Sequence, residues 1–238
     1  MTAVESRRLD APSLAEDLLL LLFQPASGLQ SGTGTIAGET TLYYVLGGAM
    51  LADLALEERV RTDTGRLGSV RVEAVGERPP ADALLRAAWE YVSEKPRGVQ
   101  TVLAAIGPML REPLLDRLVE RGDIRRATRK ALGLFELRVL EDGGSGRRDA
   151  LVADVRAVLV DGAEPTPRVA ALTALLSASG TPPQFFREIP WSTPVIDRAK
   201  ELENGNWGAG AAADAVARTM AAIIVGNVVI AASVLPRS

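Results

Sequence analysis

Four cations, Arg125, Arg126, Arg129 and Lys130, fall within six residues, and Arg111 and Arg121 lie a little upstream. Guanidinium groups gathered this closely offer bidentate donors to a phosphate. Each basic side chain held near an anionic leaflet contributes about 1 kcal/mol. Directly after them comes an apolar stretch with Leu132, Leu134 and Phe135, of the kind that wedges between lipids at a membrane surface. The same segment also reads as a hairpin that pairs with a second copy of the chain, because an open strand edge has to be covered. The two readings are compatible and both stay open.

Other chemistry is poorly supplied. The chain has no His and no Cys, which excludes thiol nucleophiles, Ser-His-Asp triads and structural zinc sites. A hydrolase would need paired carboxylates, a Ser-Lys pair or a carboxylate metal site, and no motif for any of these stands out. Glu16, Asp17, Asp53, Glu57 and Glu58 follow the spacing of solvated helix faces and acidic first turns. No enzymatic activity, resident metal or cofactor is therefore expected. The glycine-rich SGTGTIAGE (31–39) lacks both the GK[ST] and the GxGxxG pattern and follows a leucine helix, so nucleotide binding is set aside. Its backbone N–H groups remain available to an anion at the start of the next helix. Arg147 and Arg148, in EDGGSGRRD, read as solubilising charge. Trp89 reads as core, and Trp191 and Trp207 as loop anchors that alternatively edge a binding groove.

These residues need a scaffold, and composition points to a helical one. Nearly half of the 238 residues are apolar but only 4% are aromatic, so Ala, Leu and Val must build the core, a mixture that favours helix. The formal charge of −3 gives no global attraction to nucleic acid or membrane, and nucleic acid is not an expected partner. Residues 1–11 read as a disordered tail without a signal-peptide core; residues 12–238 read as a single globular domain. Ser13 and Glu16 have capping-box spacing ahead of a leucine helix. A loop over 24–38, a helix over 39–58 and a hairpin over 60–75 follow. Helices are predicted near 81–94, 97–106, 111–121, 149–160, 165–179 and 193–203, with a second hairpin over 124–140. Met220 to Leu235 is nearly all apolar but falls short of the roughly 20 residues of a membrane span, so it is read as part of a buried C-terminal helix predicted over about 210–233. The expected fold is all-α, a globule around that helix with one or two small β-hairpins.

Several segments together resemble the Golgi phosphoprotein 3 family and its yeast relative. LAEDLLLL (14–21), MLADLALEERV (50–60), REPLLDRLVERGDI (111–124) and ALGLFEL (131–137) occur in the family's order and spacing. The resemblance runs from about Leu14 to Ser233, and the Ala/Arg/Gly-rich composition suggests a bacterial member. It implies a cytoplasmic protein held at the cytoplasmic face of a membrane. It implies phosphatidylinositol 4-phosphate as ligand, a hairpin used for insertion and homo-oligomer formation, and cytosolic tails of membrane proteins as partners. The family's headgroup pocket uses a Trp, a helical Arg and two basic residues one turn apart. Those positions fall near Gly38, at Gly47, at Pro108 and at Arg111, so Arg111 alone keeps the family's chemistry. The expectation is a peripheral membrane protein that binds anionic headgroups through Arg111, Arg125, Arg126, Arg129 and Lys130, with Leu132, Leu134 and Phe135 at the inserting tip. The alternative is a protein–protein adaptor or scaffold that has lost the lipid pocket.

Overall fold

The computed structural model of the chain describes residues 10–25, 34–64, 69–131, 135–185, 187–207 and 216–224. Helix α1 (Leu14–Leu22) opens with the expected capping box: Ser13 Oγ accepts from the Glu16 N–H, and the Glu16 carboxylate accepts from the Ser13 N–H at 3.0 Å. Every residue of α1 is buried, which suits a helix whose second half is an unbroken leucine run. Helix α2 (Leu42–Leu56) is buried from Val45 to Ala55. Small residues such as Gly47, Ala49 and Ala52 let neighbours close on every side of it. Gly47 shows why. A Cβ there would stand 3.1 Å from a Leu103 methyl, so any larger side chain would push the two helices apart.

The remaining helices surround this pair. They are α3 (Ala83–Ser93), α4 (Val99–Ile106), α5 (Arg111–Glu120), α6 (Arg147–Leu159), α7 (Pro167–Ala178) and α8 (Thr193–Glu203). Helices α5, α6 and α7 pack on α1; α3, α4 and α7 pack on α2. A 3-10 turn at Gly107–Met109 links α4 to α5 and touches α2 closely enough that a Cβ on Gly107 would meet the Tyr43 carbonyl oxygen. The mainly helical expectation holds. The centre is formed by α1 and α2, however; of the apolar C-terminal segment, 216–224 is helical and packs Val216, Ala217, Met220, Ile223 and Ile224 into the core, and the rest of the predicted helix lies outside the described residues.

Among the described residues, three small antiparallel sheets accompany the helices. Strands β1 (Phe23–Gln24) and β2 (Thr35–Ile36) pair where one long loop was expected. The hairpin of β3 (Val60–Thr64) and β4 (Val70–Ala74) takes β5 (Arg97–Gly98) as a third strand. The second predicted hairpin is β6 (Ile124–Ala131) with β7 (Phe135–Asp142), and it leaves α5 through a Gly122 in the left-handed region, φ +74°, a conformation glycine adopts without steric cost.

Candidate functional site

Strand register divides the basic run. Residues directly opposite in an antiparallel pair share a face, and successive residues alternate. Arg126 stands opposite Leu140 and Thr128 opposite Arg138, which puts Arg126 and Arg138 on one face; Arg125 opposite Glu141 and Arg129 opposite Leu137 lie on the other. The structure therefore brings Arg126 together with Arg111 and separates both from Arg125 and Arg129. Lys130 lies in β6 opposite Glu136. Leu132 and Leu134 lie outside the described residues, as does the side chain of Phe135. Leu137, half exposed, is the large apolar residue of the hairpin that the described part exposes.

Between α5 and the hairpin runs an open groove of about 550 Å³. Arg111, Arg126 and Arg138 line it together with Glu112, Asp116 and Thr128. Arg126 donates to Asp116 and, at 3.2 Å, to Glu112. Arg138 is exposed and its side chain has no ion-pair partner among the described residues. The basic-run count overlooked Arg138 because it sits on the return strand; the alternation of FELRVLED, once paired with IRRATRKA, is the signal that would have found it. Across the hairpin, Arg125 and Arg129 both hold Glu141, at 2.7 and 2.5 Å. The Arg129 hydrogen bond, opposed by partial burial and helped by the Arg125 charge, keeps the Glu141 carboxyl below its usual range.

Arg111 forms the ridge between this groove and a second hollow of about 340 Å³, lined by Glu39, Leu42, Tyr43, Gly107, Pro108 and Arg111. Arg111 donates from Nη2 to Glu39 at 2.8 Å and from Nε at 3.3 Å, and it also donates to Glu112. The hydrogen bond to Glu39 is the main cause that raises the Arg111 pKa, against a smaller opposing effect of burial. Gly47 does not reach this hollow; it is buried against Leu103. The residues that α2 contributes are Leu42 and Tyr43, at its start, and the Tyr43 ring lies 4.0 Å from that of Tyr44. Pro108 adds no charge. The second hollow thus holds one cation and one anion.

Charges expected to be solvated are instead buried. Glu16, Asp17, Asp53 and Asp123 are each at most 5% exposed. Arg121 donates to Glu16 at 2.7 Å, and Arg117 approaches it at 3.5 Å. Arg147 bridges Asp17 and Asp123, and Arg168 bridges Asp17 and Asp53. Buried carboxylates are tolerable only when paired and hydrogen-bonded, and this network supplies both conditions. Asp53 also accepts from the Leu14 N–H at 2.7 Å, so a side chain of α2 caps the start of α1. The reading of Arg147 and Arg148 as solubilising charge is overturned: Arg148 is 8% exposed, donates to the Phe23 carbonyl at 2.6 Å and pairs with Glu188 at 2.8 Å. Phe23 is the C-cap of α1, where helix carbonyls lack intrahelical partners, and the long Arg148 side chain reaches its oxygen. Glu57 and Glu58, at the end of α2, are exposed as expected. Trp89 is core, and Trp207 is buried with Nε1 donating to the Leu202 carbonyl at 2.8 Å, so it anchors its loop.

Among the described residues, no set of acids is grouped to hold a metal ion, and no helix is long and apolar enough to cross a membrane. A further hollow of about 890 Å³, walled by Ala55, Val60, Gly205 and Val216 among others, lies away from these arginines. No curated protein matches the chain. The family model described as Golgi phosphoprotein 3 (GPP34) matches residues 14–219. That match takes in both central helices, the buried charge network at Glu16, Asp17, Asp53 and Arg121, and the α5–hairpin groove, and the chain belongs to the Golgi phosphoprotein 3 family.

Proposed function

We propose that the chain is a peripheral membrane protein that holds the phosphate of anionic lipid headgroups in the groove between α5 and the β6–β7 hairpin. The observation that carries this reading is Arg138, an exposed cation without an ion-pair partner among the described residues, on the same hairpin face as Arg126 and in one groove with Arg111. The unpartnered guanidinium of Arg138 suits a phosphate bidentately, and Arg126 joins it by exchanging its exposed pairs with Asp116 and Glu112. Phosphatidylinositol 4-phosphate is the ligand implied by family resemblance. Leu132, Leu134 and Phe135 serve as the inserting tip or as a contact with a second copy, and Arg125, Arg129 and Lys130 supply general attraction to the leaflet. The protein binds rather than catalyses, and it works at the cytoplasmic face.

Vesicle flotation tests the reading. The full chain should bind vesicles containing an anionic lipid, lose binding as salt rises, and lose at least fivefold in affinity with Arg126→Glu and Arg138→Glu combined. Binding that ignores both salt and the double substitution would overturn it. A second reading, an adaptor for cytosolic tails of membrane proteins, is favoured by Glu112 and Asp116 in the same groove, which give it donors and acceptors for a peptide of mixed charge. Capture of a mixed-charge peptide in the absence of lipid, abolished by the same double substitution, would favour that alternative.

A further inference from the structure

Arg111 and Arg126 each have two carboxylate partners, and one of the two is common to both. Arg111 donates to Glu39 from Nη2 at 2.8 Å and from Nε at 3.3 Å, and Arg126 donates to Asp116 from Nη1. Arg111 Nη1 then donates to Oε1 of Glu112, and Arg126 Nη2 donates to Oε2 of the same residue at 3.2 Å. One carboxylate thus joins a guanidinium of α5 to a guanidinium of β6, with each oxygen on a different arginine. Glu112 lies in the first turn of α5, and its side chain is 65% exposed. All three residues line the α5–hairpin groove, as does the unpaired Arg138.

We infer that Glu112 is an autoinhibitory latch, a carboxylate that holds the phosphate's seat between Arg111 and Arg126 and must swing out before a phosphate can enter. Two oxygens of a phosphate can accept from the same two donors that now serve the two carboxylate oxygens. When Glu112 turns to water, Glu39 still fixes Arg111 and Asp116 still fixes Arg126. Arg111 Nη1 and Arg126 Nη2 therefore stay aimed at the seat, and further phosphate oxygens remain for Arg138. Exposed ion pairs exchange at little cost, so the latch weakens binding without abolishing it. A competitor that has to leave taxes every ligand by the same factor, the fraction of time the seat is open. A fixed negative charge beside the seat would act differently, because it repels a doubly charged phosphate more than a singly charged one.

The inference rests on the phosphate-binding reading of the groove and names the residue that regulates it. Flotation of the full chain with vesicles tests it, using phosphatidic acid as the phosphomonoester and phosphatidylglycerol as the phosphodiester at matched surface charge. Glu112→Ala should tighten binding about threefold or more, the worth of two exposed pairs, and by the same factor for both lipids. Glu120→Ala is the control, an exposed acid at the far end of α5 that does not line the groove. It removes the same charge and should leave affinity within about 1.5-fold of the native chain. Because Glu112 is exposed, its substitution should leave the circular dichroism unaltered.

Calorimetric titration with inorganic phosphate separates the latch from the membrane. Tighter phosphate binding by Glu112→Ala, in a chain that ignores vesicles, supports the latch and makes a free phosphate its ligand, against the membrane reading. Native vesicle binding that Glu112→Ala leaves unchanged, weakens, or raises no more than Glu120→Ala does overturns the latch and leaves the groove reading standing. A gain confined to phosphatidic acid also overturns it, since that is the mark of a nearby charge and not of a displaced one. If neither the native chain nor Glu112→Ala binds vesicles or phosphate, groove and latch fall together.

Discussion

Two regions of the molecule use the same residue types to opposite ends. Around the start of α1, four carboxylates at most 5% exposed are matched by Arg117, Arg121, Arg147 and Arg168. On α5 and the hairpin, Arg111, Arg125, Arg126 and Arg129 are matched by acids as well, but there the arginine side chains are 37–68% exposed, against 15–21% for Arg117, Arg121 and Arg147; Arg168, at 40%, is the open end of the buried network. Water decides the difference. A buried pair cannot exchange partners, since the charge left behind would be neither solvated nor paired. An exposed pair is worth little and opens readily. The first arrangement fixes how α1, α2, α5, α6 and α7 meet. The second leaves guanidinium groups that a phosphate can recruit at small cost.

The comparison breaks most easily at Glu16. Its carboxylate, 0% exposed, closes the capping box and accepts from Arg121. Glu16→Ala removes a cap worth about 1 kcal/mol and strands a guanidinium whose pairing is worth about 3–5 kcal/mol. The expected loss is about 5 kcal/mol in urea denaturation, enough to unfold many domains of this size. A loss below about 1 kcal/mol would place this network in the same class as the surface pairs.

Acid titration separates the regions by sign. Burial raises the Asp53 carboxyl from 3.8 to about 7, opposed by Arg168 and by the N–H groups of Leu14 and Ala15. Its folded pKa exceeds its unfolded one, so the stability it contributes is full below about pH 4 and is lost as pH rises through 7, by at most about 4 kcal/mol. Glu141 on the hairpin has a lowered pKa, owed first to Arg129, so its contribution is present above its unfolded pKa and lost as pH falls. Asp82, where the Arg117 pair and the Leu84 and Leu85 N–H groups overcome burial, behaves as Glu141 does. Melting curves from pH 4 to 8 should show a declining component that Asp53→Asn flattens and Glu141→Gln leaves in place.

Part of this was legible in the sequence, for a physical reason. Capping spacing, helix periodicity and hairpin turns are local, and Ser13 with Glu16, the α5 stripe and the pairing of 124–131 with 135–142 emerged as expected. Burial of charge is not local. Nothing within LAEDLLLL reveals that Asp17 meets Arg147 and Arg168, more than a hundred residues later; the acids looked like an ordinary solvated first turn. The candidate site failed in the same way. Counting cations along β6 merged Arg125 and Arg129 with Arg126, although alternation alone separates them, and it passed over Arg138 on the partner strand. Glu39 and Tyr43 join Arg111 only because the 3-10 turn at Gly107 closes on α2.

The smallest expected effect gives the sharpest measure of the contrast. In a double-mutant cycle, Arg129→Ala and Glu141→Ala should couple only weakly, because Arg129 is half exposed and Arg125 remains to hold Glu141. The equivalent cycle for Arg121 and Glu16, whose side chains are 15% and 0% exposed, should couple by more than about 2 kcal/mol, since each partner shields the other from an unpaired burial. Salt sharpens this further: raising ionic strength to 1 M shortens the screening length to about 3 Å, which should erase the hairpin coupling and leave the buried one nearly intact. Equal couplings at the two sites, or equal sensitivity to salt, would mean that exposure does not govern which arginines are free to change partners, and the case for a ligand at the α5–hairpin surface would lose its energetic basis.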